Sequence, residues 1–383
     1  MQTHGASHGQ SPPVVPIAAT PVVDDLLRAG AAVAIGVSGG KDSQACALAT
    51  FEYLDRIGHR GPRILVHSDL GIVEWSESLP ACDGLARHLG VELMVVRRKA
   101  GGLMERWESR WESSVRRYAA LSTVTVVLPW STPALRFCTS ELKTHVIASA
   151  LRRKFPGQNI LNVTGIRREE SAARARSSVA NLDAKARGAE IWSWRPIVEW
   201  SERQVFDRID CSGMSPHPAY RTWGMTRVSC AFCIMSSKPD LLASSRNPAH
   251  RELFRRMVRL ETKSTFGFQG NRWLADLSEI VPGLLTEGER ATVVEAKECA
   301  AQRIAAERLI PRDLLYTRGW PTRMPTPDEA ELLASVRRDV STALRIDAQF
   351  LTGQEVLGRY RELMDMKKAH GTNTDSIPAL ACA

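Results

Sequence analysis

Residues 38 to 43 read Ser-Gly-Gly-Lys-Asp-Ser, a set that can grip a phosphate chain. Two glycines let the backbone come close to an anion, Lys41 adds a point charge, and Ser38 and Ser43 add hydroxyl donors. A second set is built of thiols. Cys138 stands far upstream of Cys230 and Cys233, which have Cys-x-x-Cys spacing and suit a soft metal centre. A third set is cationic: Gly165-Ile166-Arg167-Arg168-Glu169-Glu170-Ser171-Ala172-Ala173-Arg174 carries guanidinium forks that match phosphate and sulfate oxygens. The chemistry implied is the gripping of phosphate or sulfate groups next to a thiolate-held centre.

These groups need a scaffold, and the pattern along the chain supplies one. Residues 32–37 form an apolar, strand-like run before the hexapeptide, and a helical pattern follows over 43–56. The free N–H groups and positive end of that helix complete an anion cradle. The turn is not a Walker A loop, because Ile35 stands where a glycine is needed and Asp42 follows Lys41. Further strands are expected at 63–67, 91–96 and 159–163, with helices at 75–89 and 140–154. Alternation of this kind predicts an α/β domain with a parallel sheet, helices on both faces, and ligands at the carboxyl ends of the strands. The strand at 63–67 runs into Asp69-Leu70-Gly71, where Asp69 either faces the nucleotide or closes a turn. Three parts are expected: a disordered arm over 1–21, a nucleotide-binding and cysteine-bearing domain over 22–235, and a mostly helical region over 236–383.

Composition sets outer limits. A chain of 383 residues with 44% hydrophobic content can bury a sizeable core. Neither a membrane span nor an N-terminal signal pattern is present in the sequence, so the expected setting is cytoplasmic, without a membrane partner. The formal charge of +9 favours polyanionic partners. Eight scattered cysteines in such a chain favour reduced thiols over a disulfide framework.

The hexapeptide at 38–43 resembles the PP-loop of the ATP pyrophosphatases, which cleave ATP between the α and β phosphates and leave an adenylylated substrate. Together with Asp69-Leu70-Gly71, Cys138-Thr139-Ser140-Glu141-Leu142-Lys143, the 165–174 run, Pro196-Ile197 through Trp200, and Cys230-x-x-Cys233, it makes residues 25–235 similar to the phosphoadenosine phosphosulfate reductase-like family. The resemblance implies an adenine-nucleotide α-hydrolase-like fold with ATP and Mg²⁺ on Ser38, Gly39, Gly40, Lys41, Asp42 and Ser43. It implies Asp69 and Gly165 near the nucleotide, and catalytic parts for Lys41, Asp42 and Arg167. Lys143, Arg167, Arg168, Arg174 and Arg227 are the expected contacts to the anionic substrate.

Family members that hold an iron-sulfur cluster and act on sulfonucleotides carry a Cys-Cys pair, whereas here Thr139 follows Cys138. Three thiolates, Cys138, Cys230 and Cys233, suit a [4Fe-4S] cluster with one iron open to sulfide. Cys211 or His217 is an alternative fourth ligand, and structural zinc is the lesser alternative. Cys46, Cys82 and Cys299 read as small buried residues, and Cys382 lies in a tail. The reductases also use a C-terminal Glu-Cys-Gly nucleophile. Glu298-Cys299-Ala300 falls in a helical pattern instead, and Ala381-Cys382-Ala383 lacks the acid and the glycine. With the basic residues Arg97, Arg98, Lys99, Arg106, Arg110, Arg116 and Arg117, these traits resemble the ATP pyrophosphatases of DNA phosphorothioation systems. That branch implies DNA as substrate, a cysteine desulfurase as sulfur donor and other phosphorothioation proteins as partners. A sulfonucleotide reductase or a tRNA-thiolating enzyme is the alternative.

Overall fold

Short runs of branched apolar residues become strands, and six of them join in one sheet. The computed structural model describes residues 15–186 and 188–371. In chain order the elements are α1 (Pro21–Arg28), β1 (Ala32–Gly36), α2 (Lys41–Arg56), β2 (Arg63–Asp69), α3 (Ser78–Leu89), β3 (Leu93–Arg97) and α4 (Leu103–Ala119). Next come α5 (Phe137–Thr139), a π-helical turn (Ser140–Thr144), α6 (His145–Lys154), β4 (Ile160–Val163), β5 (Ala180–Ala186) and β6 (Ala189–Trp194). Then follow α7 (Glu202–Cys211), α8 (Pro218–Thr222), α9 (Lys238–Arg246), α10 (Arg251–Ser264), α11 (Glu287–Glu307), α12 (Pro327–Leu344) and α13 (Gly353–Gly371).

The sheet order is β3-β2-β1-β4-β6-β5. Neighbours are parallel except β5, which runs antiparallel to β6 and departs from the wholly parallel expectation. Ile35 pairs with Leu65 on one side and Val163 on the other, so β1 and β4 end level. The order reverses direction between β1 and β4, and such a switch point opens a crevice at the carboxyl ends. The period-2 alternation of β1 feeds two cores. Val33 and Ile35 pack with Leu48, Phe51 and Leu54 of α2, with Leu85 of α3, and with Val205 and Ile209 of α7. Ala32 and Ala34 pack with Ile64, Val66, Leu151 and Phe155.

The chain divides into two compact units, residues 1–99 with 137–233 and residues 100–136 with 234–383. The domain expected over 22–235 is interrupted, a correction: 100–136 belongs to the second unit. Its cause is buried Arg337 of α12, whose guanidinium donates to Tyr118 O at 2.9 Å and Ala119 O at 3.1 Å. These carbonyls form the negative end of α4, where a cation is stabilised. Trp107 of α4 also meets Trp130 and Phe268 edge to face at 5.3 and 6.0 Å, and Arg256 of α10 bonds Glu108 at 2.6 Å. Buried Glu261 of α10 accepts from Phe268 N and Leu274 N, both at 2.7 Å, and from Ala275 N at 3.0 Å, which fixes the loop after that helix.

Three other expectations need adjustment. Residues 1–14 of the expected arm lie outside the described residues, as does Cys382. Residues 15–20 are ordered against the first unit: Trp194 Nε1 donates to Ala18 O at 2.8 Å and Trp200 Nε1 to Pro16 O at 3.0 Å. The helix expected over 75–89 starts only at Ser78. The basic run is split, with Arg97 to Lys99 ending a stretch of the first unit while Arg106, Arg110, Arg116 and Arg117 sit on α4 of the second. There Arg106 is buried and Arg110 donates to Leu128 O at 3.0 Å. No helix among the described residues is long and apolar enough to cross a membrane.

Candidate nucleotide and thiol site

Residues 38–43 join β1 to α2 at the switch point. Gly39 adopts φ +77°, and a Cβ there would stand 3.1 Å from the ring of His217 and 3.0 Å from Ser78 Cα, so the turn requires glycine. Gly40 is the N-cap of α2 and brings no side chain of its own to the helix start. Ser43 Oγ ties the turn together, accepting from Ser38 N at 3.2 Å and donating to Gly40 O at 2.9 Å. A helix start over a glycine turn is the backbone arrangement that receives phosphate oxygens.

The charged residues close into a ring. Lys41 Nζ lies 3.4 Å from Asp42 Oδ2 and 3.2 Å from Glu202 Oε1. Asp42 Oδ1 accepts from Arg167 Nε at 2.6 Å, and Arg167 Nη1 donates to Glu169 at 2.7 Å. Glu169 in turn accepts from Glu202 N at 2.9 Å. Burial alone would lower the Lys41 pKa, but Asp42, Tyr220 and Glu202 outweigh it and hold the ammonium above its usual value. Burial works against the Arg167 cation as well, and Asp42, Glu170 and Glu169 more than restore it. Gly165 makes this approach possible, because a Cβ there would fall 2.4 Å from Asp42 O.

The arginines expected on a substrate anion are mostly turned elsewhere. Arg167 is buried and occupied by Asp42, Glu169 and Trp200 O. Arg168 pairs with Glu199 and Ser177 O, and Arg174 with Glu170. Within the run Glu169 and Glu170 take part of this charge, and Asp42 and Glu199 take the rest. Arg227 is exposed and pairs with no carboxylate among the described residues. Asp69 accepts from Gly71 N at 2.7 Å, the turn-closing alternative, and lies 3.8 Å from Arg97.

The thiols gather at the carboxyl end of β2. Ala231 N donates to Val73 O at 2.8 Å, pinning the Cys-x-x-Cys loop to the turn after that strand. Ser68 Oγ of β2 donates to Leu142 O at 2.6 Å, which pins the π-helical turn that follows Cys138. Single π turns recur at functional sites, and this one carries Lys143. Burial pushes the Cys230 thiol up, Lys143 opposes that push, and Cys233, Glu74 and Cys138 add to it. The three cysteines and Lys143 therefore share one electrostatic neighbourhood.

His67, buried at the end of β2, links the two halves. Its Nδ1 contacts Val37 O at 3.1 Å, just before the phosphate turn, and its Nε2 contacts Glu74 at 3.2 Å. Burial alone would lower its pKa, but the Cys82 sulfur and the Glu74 carboxylate raise it to about 10. The ring is therefore a cation that donates at both nitrogens. Of the alternative fourth ligands, His217 uses Nδ1 to accept from Ala219 N at 3.1 Å and packs on Trp75, while exposed Cys211 ends α7. Glu202 carried no signal in the sequence because its partner Lys41 is distant along the chain, and His67 carried none because it reaches Val37 on the neighbouring strand.

The phosphoadenosine phosphosulfate reductase domain family model matches residues 32–236. An uncharacterized 37.8 kDa protein in the gpa 5' region of Escherichia phage 186 is 27% identical over 240 residues, which cover 54% of this chain and 68% of that relative. Among solved structures, the U34-tRNA thiolase NcsA from Methanococcus maripaludis with its [4Fe-4S] cluster is 15% identical at a TM-score of 0.36, covering 72% of this chain and 74% of that one. NAD+ synthetase from Burkholderia pseudomallei is 14% identical at 0.32, covering 76% and 87%. Both likenesses are loose. The family match spans more than half of the chain, from β1 through the Cys-x-x-Cys loop, and on that match the chain belongs to the phosphoadenosine phosphosulfate reductase domain family.

Proposed function

We propose that this chain is an ATP pyrophosphatase that adenylylates a phosphate-bearing substrate, the DNA backbone, for sulfur insertion as in DNA phosphorothioation. The observation that carries the reading is the pairing, at the carboxyl ends of the strands, of a glycine turn at a helix start with three neighbouring thiols. In the reaction a substrate phosphate oxygen forms a bond to the α-phosphorus of ATP, and the bond to the β-phosphate oxygen breaks. Pyrophosphate leaves with that electron pair, stabilised by the N–H groups at the start of α2 and by Lys41. Lys41 is held by Glu202 and Asp42, so it exchanges the half-exposed Glu202 for a phosphate oxygen when it acts. Asp42 and Arg167 hold the turn in shape.

Magnesium would neutralise the phosphate oxygens over this turn. The donor set fits a [4Fe-4S] cluster on Cys138, Cys230 and Cys233, which would supply sulfur from its open iron. No three His, Cys, Asp or Glu side chains among the described residues stand together at single-ion spacing. Cysteine desulfurase would provide the sulfur, and other phosphorothioation proteins would be its partners.

The test is pyrophosphate release from ATP with and without DNA, on anaerobically reconstituted protein. Stimulation by DNA supports the reading. Activity confined to sulfonucleotide with a thiol reductant, or to transfer RNA, moves the protein to the corresponding alternative.

A further inference from the structure

Tyr220 of α8 lies against the phosphate turn. Its hydroxyl oxygen accepts from Lys41 N at 3.1 Å and from Val228 N at 3.4 Å. A phenol has two acceptor positions and one proton, so both acceptor positions are filled by the phosphate turn and the strap beside it. No group among the described residues accepts the remaining proton. The ring is clamped: Phe206 meets it edge to face at 5.9 Å, and Lys41 Nζ stands 5.3 Å from its centroid. The hydroxyl is also close to the cradle. A Cβ on Gly40 would lie 3.6 Å from Tyr220 Oη and 3.7 Å from Ser38 Oγ, so the two hydroxyls flank the same glycine. Two N–H donors behind an oxygen polarise its O–H bond and leave the proton directed away from both.

We propose that Tyr220 donates a hydrogen bond from its hydroxyl to a β- or γ-phosphate oxygen of bound ATP, the part that leaves as pyrophosphate, extending the backbone cradle with a side chain. The inference rests on the ATP pyrophosphatase reading. Tyr220 also relays the Lys41 N–H: that amide is spent on the phenol, and the phenol presents the donor in its place.

The experiment is calorimetric titration of the full chain and its Tyr220→Phe variant with magnesium pyrophosphate and, separately, with AMP. Loss of a bond to a charged acceptor should weaken pyrophosphate roughly ten- to a hundredfold and leave AMP within about twofold. Unchanged pyrophosphate affinity, or equal weakening of both ligands with a lower melting temperature, overturns the proposal and leaves Tyr220 a packing residue. Should the variant fail to fold, replacing all tyrosines with 3-fluorotyrosine keeps the ring and acidifies the phenol. The upper limb of the pH profile for pyrophosphate binding then moves to lower pH, and a profile that does not move overturns the proposal. A native chain that binds neither pyrophosphate nor ATP overturns the pyrophosphatase reading and this inference together, whereas binding that ignores Tyr220→Phe overturns this inference alone.

Discussion

Arg167 Nε stands 2.6 Å from Asp42 Oδ1, joining two residues that lie 125 positions apart. The guanidinium also holds Glu169 and the Trp200 carbonyl, so it is an internal strut of the phosphate turn.

Asp42→Asn should remove the charge that compensates buried Arg167. Breaking a buried pair from one side costs about 3 kcal/mol or more. The expected outcome is a lower denaturation midpoint together with loss of ATP cleavage, read by urea titration and pyrophosphate release. A variant of native stability and activity would show that the ring is not needed.

Gly165→Ala places a methyl group 2.4 Å from the Asp42 carbonyl oxygen, a backbone atom that cannot step aside. We expect a loss of stability and of ATP affinity. Gly84→Ala is the control: it lies inside α3 with nothing within 4 Å of the new Cβ, and should stabilise by up to about 1 kcal/mol. Thermal melts of the two proteins should move in opposite directions.

His67 is raised to about 10 when folded, against 6.5 when exposed. Between those values the folded chain keeps a proton that the unfolded chain has released. Stability from this ring is therefore complete below pH 6.5 and declines as the pH rises to about 10. Denaturation across that range should show the slope in the native protein and a shallower one in His67→Gln.

Glu261 has the opposite chemistry and the same direction. Burial raises its pKa to about 8 against the pull of three N–H groups, so the folded second unit binds an extra proton between about 4.5 and 8. Its stability should fall as the pH rises through that window and level off above it. Glu261→Gln removes the slope but sets an amide N–H₂ against one of the three backbone donors. Hydrogen exchange at Phe268, Leu274 and Ala275 should accelerate in the variant, and unchanged protection there would refute this account.

Lys41→Ala should abolish ATP cleavage while leaving iron content intact, and Cys233→Ser should do the reverse. Iron, acid-labile sulfide and visible absorbance after anaerobic reconstitution check the pair. A Cys233→Ser protein with unchanged iron and colour would refute the cluster assignment.

The sequence made part of this site readable and hid the rest for physical reasons. β1, β2 and β4 are runs of buried apolar residues, and the phosphate turn sits between a strand and a helix, so local pattern was enough for them. β5, Ala-Asn-Leu-Asp-Ala-Lys-Ala, has little to bury and is a strand because β6 pairs with it. The π turn at Ser140–Thr144 leaves no periodic mark. The 165–174 arginines read as free substrate forks because Asp42 and Glu199, the partners of Arg167 and Arg168, lie outside the run. The assignment of 100–136 to the second unit depends on Arg337, more than 200 residues downstream, and nothing local announces it.

The sheet order carries a consequence for biosynthesis. β1 is central, yet its β4 neighbour emerges from the ribosome about 120 residues later, on the order of 10 s at ordinary elongation rates. During that interval one edge of β1 is bare and Asp42 has no arginine. The newborn phosphate turn is therefore incompetent until Arg167 arrives, and slow translation or truncation within 100–160 should yield an aggregation-prone fragment that cannot hold ATP.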